Sequence, residues 1–274
     1  MGVRNQYSIS QTANTIASLM KINGLCGAAE ENSAVCEKAQ GIWGSEPAER
    51  ILLYNPDAIA MWLFQKYTEM FLPVMKQTQL AIPVESVMPS VTPVCFASMY
   101  TGLMPCDHGI EAYVKPVLQV RTIFDAAIAA GKKPVIISTE GDSVSKIFLE
   151  REMDYMICKT PDECNQNAIR IIEQNEHDVI VVYNGNYDET MHRYGPESNE
   201  AFAQLKHNVN AFHELAKTAE KFWDGKRYAL GFLTDHGCHE IDGNLGSHGL
   251  DMPDDMQIVH FWGFYGPDCL GNNG

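Results

Sequence analysis

The sequence predicts an α/β fold, a mostly parallel central sheet with helices on both faces, three layers deep. Three observations predict it. Short apolar runs of strand length recur at 51–54, 80–84, 134–138, 155–158, 178–183, 228–233 and 257–265. Segments with apolar residues at helical spacing separate most of them. Runs such as YALGFL at 228–233 are apolar throughout, as a strand covered on both faces must be.

Taken in order, Ala13, Ile16, Ala17 and Met20 give residues 10–20 the spacing of a short amphipathic helix. Residues 24–49, rich in Gly, Ala and Glu, are expected to be irregular, an exposed loop or a cover over the site. No role is assigned to residues 1–49. The strand at 51–54 runs into Asn55-Pro56-Asp57, a turn, and a helix is expected over 58–77. After the strand at 80–84, Thr92-Pro93 opens a helix that closes near Gly102, with Pro93 at its first position. A helix over 120–130 stops at Gly131; a strand at 134–138, a helix over 142–150 and a strand at 155–158 follow. Thr160-Pro161-Asp162-Glu163 is a capping box that starts a helix to about 174. DVIVVY at 178–183 is the most strand-like stretch. Phe202, Leu205, Val209, Phe212 and Phe222 lie on one face of a long helix over 198–223. The strand at 228–233 leads into Asp235, and 257–265 is a last strand, near a sheet edge. With no repeat and no linker, residues 1–274 are expected to form one domain.

Composition narrows the function. Hydrophobic residues make up 45% of 274, enough for a sizeable core. A net charge of −15 and a pI near 4.9 argue against a nucleic-acid polymer or an anionic membrane as partner. A small anionic substrate stays open, because bound metals invert the local field. No signal-peptide pattern or membrane-spanning run is visible, so a cytoplasmic location is expected. Eight cysteines without a CxxC pair are expected to be reduced thiols. Cys26 and Cys36, flanking a polar loop, are the one pair weighed as a disulfide. The oligomeric state stays open.

The chain is organised around TDHGCHEIDGNLGSHG, residues 234–249. Asp235 and His236 sit at the end of a strand, where open α/β sheets place their ligands. Carboxylate plus imidazole is the ligand chemistry of zinc and similar ions. Gly237 and Gly249 follow His236 and His248 and let the backbone approach. Asp57 and the pair Asp188 and His192 also follow strands, and the D-x-x-x-H spacing puts that pair on one face of a helical turn. Singly, Asp57 is a helix cap and His192 a surface histidine. Together, three Asp and three His at strand ends of one parallel sheet converge on one edge. Three close carboxylates repel unless cations compensate them. Two divalent ions bring +4, the carboxylates −3, and one deprotonated hydroxyl completes neutrality. Thr92, at a helix start where N–H groups point at an anion, offers that hydroxyl; alone it would be a plain N-cap.

The order Asp57, Thr92, Asp188-x-x-x-His192, Asp235-His236-Gly237, His248-Gly249 resembles the alkaline phosphatase superfamily, most of all its type I phosphodiesterase/nucleotide pyrophosphatase branch. The segment from Thr92 to Ile110, TPVCFASMYTGLMPCDHGI, is similar to that branch's nucleophile segment. So is the D-x-x-x-H-x-x-G-P of Asp188 to Pro196. The resemblance implies an alkaline phosphatase-like three-layer fold. It implies one metal held by Asp188, His192 and His248, and another held by Asp57, Asp235, His236 and the Thr92 oxygen. Zinc is the metal favoured, with Mn or Fe open. Two departures stand out. Tyr113, with Lys115 beyond it, occupies the place of the branch's phosphate-holding Asn, which makes both candidate substrate-binding residues. His248 follows His236 closely, where the branch commonly inserts a long segment.

The function implied is a phosphohydrolase in which Thr92 attacks phosphorus and forms a phospho-threonine intermediate, acting on a small phosphorylated substrate. Phosphodiesters or nucleotide pyrophosphates are favoured; a phosphomonoesterase or phosphonate hydrolase is the alternative. A sulfatase is disfavoured because Thr92-Pro93-Val94-Cys95 carries neither the modified Cys or Ser nor the Arg of the C/S-x-P-x-R context. A catalytically silent metal-binding module is the competing class, and the complete ligand set argues against it.

Overall fold

The computed structural model describes residues 5–25 and 29–267. Its strands are β1 (Tyr7–Ser8), β2 (Arg50–Pro56), β3 (Leu80–Glu85), β4 (Pro134–Thr139), β5 (Asp154–Cys158), β6 (Val179–Asn184), β7 (Tyr228–Leu233), β8 (His239–Ile241), β9 (Leu245–Ser247) and β10 (Gln257–Tyr265). Eight form one sheet in the order β1-β3-β10-β7-β2-β6-β4-β5, and β8 and β9 form a separate antiparallel hairpin. Within the large sheet every pairing is parallel except the two made by β10. The expected mostly parallel sheet is therefore present.

Successive side chains of a strand point to opposite faces, and both faces of this sheet are covered. Ile51 and Leu53 of β2 join the core that packs helices Thr12–Met20, Thr92–Thr101 and Ile123–Ala129. Leu52 and Tyr54 join the opposite core, with helices Pro161–Gln174, Asn186–Tyr194 and Asn199–Phe222. Fully burying each such aliphatic side chain is worth about 1.5–3 kcal/mol. Local signals act as read from the sequence at several ends. Thr160 accepts the Glu163 N–H, and the Glu163 carboxylate reaches back to the Lys159 N–H. Gly102 closes the helix that begins at Thr92 with a φ of 72°.

Several expectations are corrected. The stretch 24–49 is not irregular throughout, because it holds the helix Ser33–Trp43. Asn32 caps it, and Val35, Ala39 and Trp43 bury one narrow stripe at a spacing of four. That stripe is too thin, among Glu, Lys, Gln and Gly, to stand out in sequence. The helix expected over 58–77 is broken into Met61–Lys66, a 3-10 turn Thr68–Phe71 and Leu72–Met75, with Pro73 opening the last piece. The helix expected over 142–150 is only Ser143–Ile147. The last strand, β10, is not near an edge: β3 and β1 lie outside it. The hairpin β8–β9 and strand β1 were not foreseen. Cys26 lies outside the described residues, and with it the Cys26–Cys36 pairing; the described cysteines carry free thiols. Among the described residues no helix is long and apolar enough to cross a membrane.

Candidate active site

Sheet order assembles the ligands. β7, β2 and β6 are neighbours at the centre of the sheet, and all three run in one direction. Asp57 follows β2, Asp188 stands in the helix Asn186–Tyr194 that follows β6, and Asp235 and His236 follow β7. Buried Asn55 ties two of these ends together: its amide donates to Leu233 O at 2.7 Å and its oxygen accepts from the Tyr100 hydroxyl. The Ala58 N–H, just past Asp57, lies 3.4 Å from Asp235 Oδ1. His248 departs from the expectation. It follows β9 of the small hairpin rather than a strand of the main sheet.

The six side chains form two groups, Asp188, His192 and His248, and Asp57, Asp235 and His236, with the ligand atoms of each group within 4.8 Å of one another. The grouping matches the one the resemblance implies. The groups adjoin, since the His236 and His248 rings stack with centroids 4.1 Å apart. Each histidine has its Nδ1 at 2.9 Å from a backbone carbonyl: Gly246 for His192, Gly237 for His236, Ser90 for His248. A carbonyl only accepts, so Nδ1 carries the proton and Nε2 is turned to the carboxylates, the arrangement of metal-ligating histidines. His236 Nε2 lies 3.2 Å from Asp57 Oδ1 and 3.3 Å from Asp235 Oδ2. His192 and His248 each place Nε2 3.3 Å from Asp188 Oδ1.

Burial lowers the His236 pKa to about 3, so its ring is neutral and an Nε2 lone pair faces two carboxylates. Asp57 Oδ1 and Asp235 Oδ2 are buried without a hydrogen-bond donor, and Asp188 Oδ1 has the Nε2 atoms of His192 and His248 each 3.3 Å away. Burial, then the nearby Asp188, pushes the Asp57 carboxyl up to about 7. Burial, then Asp57, raises Asp235 well above the carboxylate range. Burial opposes ionisation of Asp188 too, but contacts from His192 and His248 outweigh it and hold its pKa down. Acceptors aimed at acceptors are costly unless cations lie between them. The donor set, three carboxylates and three imidazoles, fits two divalent ions.

Thr92 is where the nucleophile was expected. Its hydroxyl lies 3.2 Å from Asp57 Oδ2 and 3.4 Å from His236 Nε2, and the residue is 2% exposed. One detail shifts: Val91 accepts the first helical hydrogen bonds, so Thr92 is the first helical residue and Pro93 the second. Tyr183 was missed. Its hydroxyl donates to Asp57 Oδ2, the same oxygen that Thr92 approaches. Nothing but its place at the end of DVIVVY marks it in sequence. Thr92, Asp57, Asp188, His192, His248 and Tyr183 line one cavity of about 670 Å³. Tyr113 and Lys115 line it as well, with Lys115 Nζ 5.2 Å from the Tyr113 ring centre and donating to Gly141 O at 3.0 Å.

The hairpin is held against the ligand-bearing helix by glycine. A Cβ on Gly246 would lie 2.6 Å from Met191 O, and one on Gly195, which has a φ of 90°, would lie 2.6 Å from Asn244 O. Backbone sets both contacts, so neither can give. Gly246→Ala is therefore expected to lower stability by about 1–3 kcal/mol. It should also weaken the site shared by Asp188, His192 and His248, because Gly246 O holds the His192 ring. Denaturant midpoints and metal content per chain check both effects.

No family model and no curated protein matches the chain. Solved structures do. Human ectonucleotide pyrophosphatase/phosphodiesterase 5 is similar at a TM-score of 0.61 and 13% identity, over 78% of this chain and 87% of that one. An inactive threonine-to-alanine variant of the murine counterpart, in complex with AMP, is similar at 0.58 and 14%, over 71% of this chain and 59% of that one. Phosphonoacetate hydrolase from Sinorhizobium meliloti, in complex with phosphonoformate, is similar at 0.54 and 15%, over 72% and 59%. The chain has their alkaline phosphatase-like fold. It spans 59% of the length of the last two.

Proposed function

We propose that the protein is a metal-dependent phosphohydrolase that works through Thr92. The observation that carries the reading is the Thr92 hydroxyl, 3.2 Å from Asp57 and 3.4 Å from His236, beside buried oxygens of Asp57 and Asp235 that lack donors and next to the group Asp188, His192 and His248. Asp57, Asp235, His236 and Thr92 would hold one divalent ion and Asp188, His192 and His248 the other, with zinc the best match and Mn or Fe also suited. Such ions, when bound, supply charge neutralisation for a deprotonated hydroxyl and for a phosphoryl group. Thr92 Oγ1 attacks phosphorus in line, an O–P bond forms, and the bond to the leaving oxygen breaks. Water then cleaves the Thr92–phosphorus ester, releasing a phosphate that, from a diester, keeps its second ester group, and returns the hydroxyl. Tyr183 donates to Asp57 Oδ2, the oxygen that Thr92 approaches, and so fixes the carboxylate that would help hold the ion. The inactivity of the murine threonine-to-alanine variant supports a threonine nucleophile by analogy of fold.

The substrate class we favour is a phosphodiester or nucleotide pyrophosphate. The cavity runs from the ends of β2 and β6 past those of β4 and β5, reaching Thr139 and Lys159, which leaves room for a leaving group. A diester is a monoanion, and a site neutralised by its own metals suits it. A monoester dianion would need Lys115. Lys115→Ala is thus expected to leave diester kcat/KM within about threefold, a change of under ~1 kcal/mol. Selective damage to monoester hydrolysis would favour the monoesterase reading instead. The broader test is a panel of chromogenic monoesters, diesters and phosphonates run with Zn and with Mn. Absence of turnover on every member would leave a silent metal-binding module.

A further inference from the structure

His236 and His248 belong to different metal groups, yet both ride on one small hairpin. β8 begins three residues after His236 and β9 ends one residue before His248, with His239 paired to Ser247 across the open end. A three-residue ladder is too short to fix that opening by itself. Asp255 closes it. The residue is fully buried, in the short helix Pro253–Met256, and its side chain reaches both arms. Oδ1 lies 2.7 Å from His239 Nδ1 on the first arm, and Oδ2 accepts the Leu250 N–H at 2.8 Å on the second. Its backbone carbonyl takes the Gly237 N–H at 2.8 Å, directly after His236. The approach there needs glycine, since a Cβ on Gly237 would stand 2.0 Å from Asp254 O. From the second arm the chain of contacts continues inward, through His248 Nδ1 to Ser90 O at 2.9 Å, two residues before Thr92.

We propose that Asp255 is a positioning residue that clasps the two arms of the hairpin, fixes His236 against His248, and so supports both metal sites at once. The inference rests on the two-site metal reading above. Asp255 touches no substrate, and none of the six ligands bonds to its side chain. Its side chain acts through His239, three residues after His236, and Leu250, two after His248, while its backbone carbonyl holds Gly237 whatever the side chain. Both carboxylate oxygens are used, one per arm, so the group joins two loops rather than propping one. Groups that hydrogen-bond a metal ligand directly are worth about 10–100-fold in metal affinity, and Asp255, one contact further out, is expected at the low end of that range.

The test is zinc binding by equilibrium dialysis and calorimetry on the full chain, with circular dichroism to confirm folding. Wild type should take up two zinc ions per chain. Asp255→Ala should weaken both sites by about tenfold or more. Asp255→Asn should retain most of both affinities: its oxygen still accepts the Leu250 N–H, and its amide can donate to His239 in the other tautomer. His239→Ala removes one arm's contact at a half-buried surface position, and it should weaken both sites by a smaller factor than Asp255→Ala. That variant keeps the question open to experiment if Asp255→Ala does not fold. A folded Asp255→Ala or His239→Ala protein with unchanged zinc affinities would overturn the clasp, as would the loss of one site alone. Hydrolysis is measured separately. Joint zinc loss in a protein inactive toward every phosphate ester would uphold the clasp and sink the hydrolase reading. Equal zinc binding by all variants of an active enzyme would do the reverse.

Discussion

Thr92→Ala is expected to lose turnover by about 10³-fold or more, at least ~4 kcal/mol of transition-state stabilisation, while keeping its fold and most of its metal. The geometry separates these outcomes. Among the described residues the hydroxyl's hydrogen-bond partners are Asp57 Oδ2 and His236 Nε2, groups the metals themselves would hold, so its loss takes little from the core. The metal group Asp188, His192 and His248 does not include it at all. Thr92→Ser keeps an oxygen at the same helix position and should retain part of the activity, losing only a methyl group in a tightly packed place. Acid quenching of wild type during turnover should trap a phosphoryl group on Thr92, still carrying the second ester group when the substrate is a diester, and mass spectrometry of the peptide would locate it. Near-normal rates from Thr92→Ala would make water the nucleophile and end the covalent mechanism.

What could be read in sequence follows physical lines. Both-face burial writes a strand as an unbroken apolar run, so β2, β6 and β7, which carry the ligands, were plain. Their adjacency was not, because it follows from crossovers between runs at 51–54, 178–183 and 228–233. Asp57, Asp188, His192, Asp235 and His236 stood out as ligand-type residues just beyond such runs. The structure brings them together as expected. His248 was recognised from its motif, but its carrier was not: three-residue strands around Asp242-Gly243 have too few side chains to leave a period. The helix Ser33–Trp43 was lost among polar residues, since only Val35, Ala39 and Trp43 face inward. Tyr183 and Asp255 were illegible for a different reason. One is an aromatic in an apolar strand, the other one Asp among several near 251–255. Their roles come from partners more than a hundred residues away for Tyr183 and across a hairpin for Asp255, and local pattern carries neither.

Chelation is expected to abolish turnover, and His248→Ala should lose the ion held with Asp188 and His192 before the other. In the metal-free chain protons stand where cations belong. The Asp188 contact raises the His192 pKa to about 9 although burial opposes it. Burial, then Asp188, brings Asp57 to about 7. Near neutral pH His192 therefore carries a proton, and Asp57 is raised far enough to compete for one. Zinc must expel these protons, because the ligating forms are neutral imidazole and carboxylate. Zinc affinity should thus fall as pH drops from about 9 through 7, steepening where both groups compete. Calorimetry in buffers of different ionisation enthalpy should show net proton release at pH 7. Each site filled at 100 times its dissociation constant should also add about 2.7 kcal/mol of stability, visible as a raised unfolding midpoint. His248→Ala removes one ligand from the half-exposed group, whereas Asp57, Asp235 and His236 are all buried and keep their set complete. One tightly held ion per chain in that variant, against two in wild type, is the expected stoichiometry. Retention of two ions would take His248 out of the ligand set. Failure of Zn, Mn and Fe alike to bind the wild-type chain would overturn the metal reading and the hydrolase built on it.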